Sequence, residues 1–198
     1  MLRVARLATE VMAPWVWVLT LPLAVAWSAT AHRPLPALGW GLLIAVTGSL
    51  LPMALIVRGA KQGKWDGHHV TNRAGRRVPL LFAGVSLGLG FAGLLAGGAP
   101  APLIALAASM LASLVVAVAI TFGAKFKISL HAAVASAAVV VLTLTYGPWA
   151  LLLTLLVAWV AWSRVRLRDH TTPEVLAGLL MGVVVGGGGY WALLTALS

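Results

Sequence analysis

The chain has 198 residues, of which 61% are hydrophobic and only 9% charged, with a mean hydropathy of +1.01. A water-soluble domain covers its surface with roughly 25% charged residues, so this composition excludes one and requires lipid around the molecule. The absence of cysteine excludes disulfides and thiolate chemistry. The net charge of +10, at so low a charge density, points to anionic lipid or phosphate rather than nucleic acid.

In chain order, Arg3 and Arg6 precede an apolar run containing Pro14, Pro22 and three tryptophans. No small-residue cleavage site precedes the next run, so this one is expected to be a retained first span rather than a signal peptide. A helix crosses the hydrocarbon in about 20 residues, and seven stretches qualify or come close: 12–31, 37–57, 78–97, 101–123, 128–146, 147–162 and 173–197. They are separated by turn chemistry at His32-Arg33-Pro34-Leu35-Pro36, Gly97-Gly98-Ala99-Pro100 and Tyr146-Gly147-Pro148. The sixth is short and only Gly147-Pro148 separates it from the fifth, so six spans with one re-entrant element is the variant topology. The runs are continuous rather than alternating, which excludes a membrane β-barrel. The expectation is one all-α polytopic membrane domain covering residues 1–198.

Threading these spans sorts the loops onto two faces. Of the 14 Lys/Arg, only Arg33 falls on one face; the others gather with the N-terminus and residues 58–77, 124–127 and 163–172. An imbalance of that size predicts that the charged face is cytoplasmic, in a bacterial plasma membrane. Trp15, Trp65, Trp149, Trp162 and Trp191 fall near span ends and suit an interfacial belt. Gly178, Gly182 and Gly186 recur every four residues, the spacing that lets membrane helices pack closely.

Three segments on the charged face carry chemical potential. The first runs from Lys64 to Pro79, the second is Lys127-Ile128-Ser129-Leu130-His131, and the third runs from Ser163 to Glu174. Each is separated from the next by two spans, so parity returns all three to one face. In the third, Thr172-Pro173-Glu174 reads as an N-cap, a first-turn proline and a first-turn acid. His170 then lies just ahead of a helix N-terminus, where anions are favoured. Glu174, four residues on, is placed to accept a hydrogen bond from one His170 nitrogen and leave the other for nucleophilic or base chemistry. Arg164 offers a planar, permanently charged phosphate ligand. A solvated basic loop is the alternative for this segment. His131 opens an apolar helix, where an ionisable ring is expensive and usually functional; a histidine bonded to a neighbouring helix is the alternative. Asp66, His68 and His69 make a poor ligand set, and no metal is expected. Arg73 and Arg76, three apart, share a helix face.

These residues resemble the type 2 phosphatidic acid phosphatases. Ser163-Arg164, five residues, His170, three residues, Glu174 is similar to that family's third signature, S-R-x(5)-H-x(3)-D. Lys127-Ile128-Ser129-Leu130-His131 resembles the second, P-S-G-H, and Arg73 to Pro79 stands where the first, K-x(6)-R-P, belongs. The resemblance covers about residues 60–180. It implies hydrolysis of a lipid phosphomonoester or diphosphate, without metal or other cofactor, through a phosphohistidine. By that likeness His170 attacks phosphorus, Glu174 orients it, and His131 protonates the departing oxygen and then activates water. Arg164, Ser129, Arg73, Arg76, Arg77 and Lys127 would hold the phosphoryl oxygens. Three positions depart from the pattern: Leu130 replaces a glycine, Glu174 an aspartate, and His69 stands where the first signature has lysine. The cytoplasmic orientation favours a substrate of the inner leaflet, such as phosphatidic acid, a phosphatidylglycerol phosphate or a polyprenyl phosphate. Two other classes stand beside this one. The first is a non-catalytic lipid-binding or transport protein of the same fold, which would have no reason to retain His131, His170 and Glu174 together. The second is a prenyl-diphosphate transferase, whose aspartate-rich metal motifs a chain with two aspartates lacks.

Overall fold

The structure is a computed structural model that describes residues 1–64 and 77–197. Its elements are helices, with no strand among the described residues. They run α1 Leu2–Val11, α2 Pro14–Ala29, α3 Pro34–Lys61, α4 Arg77–Ala96, α5 Ala101–Gly123, α6 Leu130–Tyr146, α7 Pro148–Arg166 and α8 Thr172–Leu197. Five of these (α3, α4, α5, α7 and α8) are long and apolar enough to cross a membrane. Helices α1 and α2, bent by 41° at their junction, meet the same test together, and α6 is an apolar helix of 17 residues. The chain is thus an all-α polytopic bundle. The short sixth stretch is completed on the C-terminal side: α7 opens with a 3-10 turn, Pro148–Leu153, and continues to Arg166, which brings it to 19 residues.

Local chemistry explains the boundaries. Pro14, Pro34 and Pro148 each occupy a first helical position, where the missing N–H would be unsatisfied anyway. Gly98 ends the α4 turn at φ 68°, a left-handed conformation that glycine adopts without penalty. In hydrocarbon every backbone group needs a partner inside the protein. Where α3 widens into a π-turn at Val46–Leu50, the Thr47 carbonyl is met by the Ser86 hydroxyl of α4 at 2.6 Å.

Helix α6 is the axis of the bundle, packed against α2, α7 and α8. Small residues make this possible: Ala132, Ala133, Ala135 and Ala138 are all buried. The expected glycine spacing meets α6 directly. A methyl group at Gly178 would stand 2.5 Å from the Ser129 carbonyl, one at Gly182 would strike the Ala133 carbonyl and the Ser136 hydroxyl, and one at Gly186 would reach Ala137 at 2.5 Å. The Ser136 hydroxyl bridges the same helices by donating to the Leu179 carbonyl at 3.0 Å. The outside of the bundle is apolar: Leu81, Leu89, Val115, Leu152, Leu155 and Leu180 are exposed, as are Trp149, Trp162 and Trp191 near helix ends. Such a surface suits lipid.

Backbone contact at Gly182 gives a clear expectation. Gly182→Val should lower the thermal midpoint in detergent by several degrees, as overpacking typically costs 1–3 kcal/mol. Gly88→Val, where an added methyl meets nothing within 4 Å, should leave the midpoint nearly unchanged.

Candidate active site

The second and third segments are interlocked by three bonds at the end of the bundle where α6 and α8 begin. The Ser129 N–H donates to the Glu174 carbonyl at 3.1 Å. The Lys127 ammonium donates to the Asp169 carbonyl at 2.6 Å. The Lys127 carbonyl lies 3.2 Å from His170 Nδ1. The chain turns tightly on either side: Lys125 and Arg168 are non-glycine residues at φ 55° and 59°. A left-handed conformation is costly for such residues and persists where surrounding contacts impose it.

His170 is buried, and Glu174 Oε2 lies 3.1 Å from its Nδ1. The two groups facing Nδ1, a carboxylate and a backbone carbonyl, are both acceptors, so the neutral ring carries its proton on Nδ1 and its lone pair on Nε2. This is the contact expected from the four-residue spacing. The same Oε2 accepts the Thr171 N–H at 3.0 Å. That second bond moves the helix start by one residue: the N-cap of α8 is Thr171 rather than Thr172. Glu174 then occupies the third helical position, where a glutamate reaches back to the capping residue's N–H. One carboxylate oxygen thus caps the helix and orients the ring.

Arg164 is 1% exposed. Its Nη1 lies 3.0 Å from Asp169 Oδ2 and 3.3 Å from the Thr9 hydroxyl. The Ser163 hydroxyl donates to the Val160 carbonyl at 2.7 Å. Its oxygen must therefore accept from Thr9, 3.1 Å away, so donation runs from Arg164 to Thr9 to Ser163 and ends on the Val160 carbonyl. Among the described residues, the Arg164 Nε and the buried Ser129 hydroxyl have no hydrogen-bond partner. Leaving such groups buried and unmatched costs about 1–3 kcal/mol each, more for a charge. Ser129 is the N-cap of α6, where the helix dipole favours negative charge. His131, two residues beyond Ser129 in the first turn of α6, is also buried.

Of the expected site residues, Ser129, Lys127, Arg164, His170 and Glu174 are linked by these contacts, and His131 stands on the same turn as Ser129. Arg77 opens α4 with its guanidinium 5.5 Å from the centre of the Phe122 ring, a cation–π contact. Arg73 and Arg76, like Asp66, His68 and His69, lie outside the described residues. Asp169 and Thr9 are additions that sequence reasoning did not assign. Thr9 shares the buried face of α1 with Ala5 and Ala8, a small-residue spacing of three and four that was legible as a packing face. Its destination on α7 was not. No family model, curated protein or solved structure matches the chain.

Nitrogen-15 spectra of histidine-labelled protein in micelles should place the neutral His170 ring in the Nδ1–H form, with that preference lost in Glu174→Ala. A ring protonated on Nε2 in the unmodified protein would contradict the assignment.

Proposed function

We propose that the protein hydrolyses a phosphomonoester or diphosphate carried by a membrane lipid, with His170 as nucleophile. The observation that carries this reading is the coupled geometry of His170 and Glu174. A carboxylate locked by its capping bond holds the Nδ1 proton and so sets the ring's lone pair on Nε2, and the His170 backbone N–H bonds to the carbonyl of the buried Arg164. In the reaction, Nε2 attacks phosphorus while the bond to the leaving oxygen breaks, and His131 supplies the proton that oxygen needs. His131 then takes a proton from water as the water attacks the phosphohistidine, releasing inorganic phosphate and regenerating His170. Arg164, the Ser129 hydroxyl and Lys127 stabilise charge on the phosphoryl oxygens, and Asp169 and Thr9 hold Arg164 in place. Arg73, Arg76 and Arg77 complete the basic set. The resemblance of all three segments to the type 2 phosphatidic acid phosphatases supports the same chemistry.

The charge imbalance between the two faces supports a cytoplasmic site and an inner-leaflet substrate. A second reading, a non-catalytic lipid-binding protein, is favoured by one observation: Arg164 Nη1 already pairs with Asp169, as in a purely structural ion pair.

Phosphate release from a panel of lipid phosphates by the purified protein decides between them. Activity should persist in EDTA and disappear in His170→Ala. His131→Ala should lose roughly 10²–10⁴-fold, the usual worth of a general acid–base group. Glu174→Gln keeps an acceptor for the Thr171 N–H, and with it the cap. It should melt like the parent yet lose a comparable factor, as exchange of the orienting carboxylate for an amide does in a Ser-His-Asp triad. Activity abolished by EDTA, or unchanged in His170→Ala, would refute the mechanism.

Orientation is tested separately. A cysteine placed at the exposed Gln62 is the sole thiol in the chain, and in intact cells it should resist an impermeant maleimide until the membrane is opened.

A further inference from the structure

Helix α1 carries three separate stripes along its ten residues. Ala5, Ala8 and Thr9 share one side, and all three are buried. Val4, Leu7 and Val11 fall within an arc of about 60° on another side, and each is about half exposed, at 49%, 54% and 45%. Arg3, Arg6 and Glu10 occupy a third arc of about the same width, next to the apolar one, and are also exposed. One side of the helix is thus spent on the protein, and two adjacent sides, one apolar and one basic, face away from it.

What α1 touches sets its depth. It packs on α7, and Thr9 meets Ser163 and Arg164 in the last turn of that helix. Because α7 is long and apolar enough to span, its last turn lies where the hydrocarbon ends. Trp162, just before that turn, is exposed, as suits an interfacial ring, and Arg166 is exposed within it. The Thr9 bonds also fix the rotation of α1 about its axis, so the apolar and basic stripes are held outward. An apolar stripe beside arginines, at the level of the headgroups, is the pattern of a helix lying in the plane of a charged membrane surface.

We propose that α1 is a docking surface for anionic phospholipid. Val4, Leu7 and Val11 enter the acyl boundary, and Arg3 and Arg6 gather negative headgroups beside the last turn of α7. Neutral lipid covers the apolar stripe equally well, so the selection comes from the arginines next to it. Glu10 offsets one of them, which leaves one net positive charge on the basic stripe. The surface stands apart from the phosphatase reading, and no turnover enters its test.

The chain has no cysteine, so Leu7→Cys gives a single attachment point for a bimane fluorophore. The labelled protein is placed in phosphatidylcholine vesicles that carry a low, equal mole fraction of nitroxide-labelled phosphatidylglycerol or phosphatidylcholine, with the nitroxide near the top of the chain. Both lipids should quench the label. The anionic one should be about fivefold enriched beside it, the preference that one net basic charge at a membrane surface confers, and about 1 M salt should suppress the difference. Arg3→Gln/Arg6→Gln leaves the buried side of α1 intact; it should keep quenching by the neutral lipid and lose the preference. A bimane at Val115→Cys, exposed on α5, should see the two lipids alike. A label at position 7 that neither lipid quenches would show the stripe covered by something other than lipid and overturn the proposal. Equal quenching by the two lipids at low salt would overturn the anionic selection, and a preference that survives the double substitution would overturn the assignment to Arg3 and Arg6.

Discussion

The arrangement depends on Glu174 more than on any other residue. Its backbone carbonyl accepts the Ser129 N–H and so ties the start of α6 to the start of α8. Its carboxylate caps α8 and holds His170. Each bond is ordinary, but together they leave the ring little freedom, because moving it would uncap a helix. The carboxylate is also set at a helix N-terminus, where the dipole favours negative charge. A glutamate in place of aspartate is thereby accommodated: the extra methylene lets the side chain curl back to the Thr171 N–H while still reaching the ring.

Arg164 imposes the second constraint. Burying a guanidinium is costly, and removing one partner of a buried pair costs several kcal/mol. Asp169 matches part of the charge, and Thr9 brings in α1, a helix from the opposite end of the chain. That contact fixes α1 against α7, with Ala5, Ala8 and Thr9 inward and Leu2, Arg3, Val4, Arg6 and Leu7 outward. An amphipathic helix of this kind suits the membrane interface. Through Thr9 it is tied to the guanidinium.

An apolar cavity of about 200 Å³ lies between α2, α3, α4, α5, α6 and α8. Leu130, which stands where the resembled signature has a glycine, is one of its lining residues.

Much of this was legible in the sequence because lipid is a demanding solvent. Hydrocarbon admits only internally bonded helices, so the apolar runs and their Pro and Gly boundaries specify the elements almost directly. Segment parity placed Ser129, His131, Arg164 and His170 on one face. A local i,i+4 relation was enough to pair His170 with Glu174. Contacts between residues far apart in sequence could not be read in this way. Nothing in Leu2–Val11 says that Thr9 bonds to Arg164 and Ser163, more than 150 residues away. Neither does the glycine spacing reveal that it packs on Ser129, Ala133 and Ala137. Membrane helices have similar apolar surfaces on every side, and which faces meet is decided by close packing and a few interhelical bonds. Composition and local spacing determined the helices, their boundaries and the paired histidine. Tertiary packing alone decided the arginine's partners and the cavity beside Leu130.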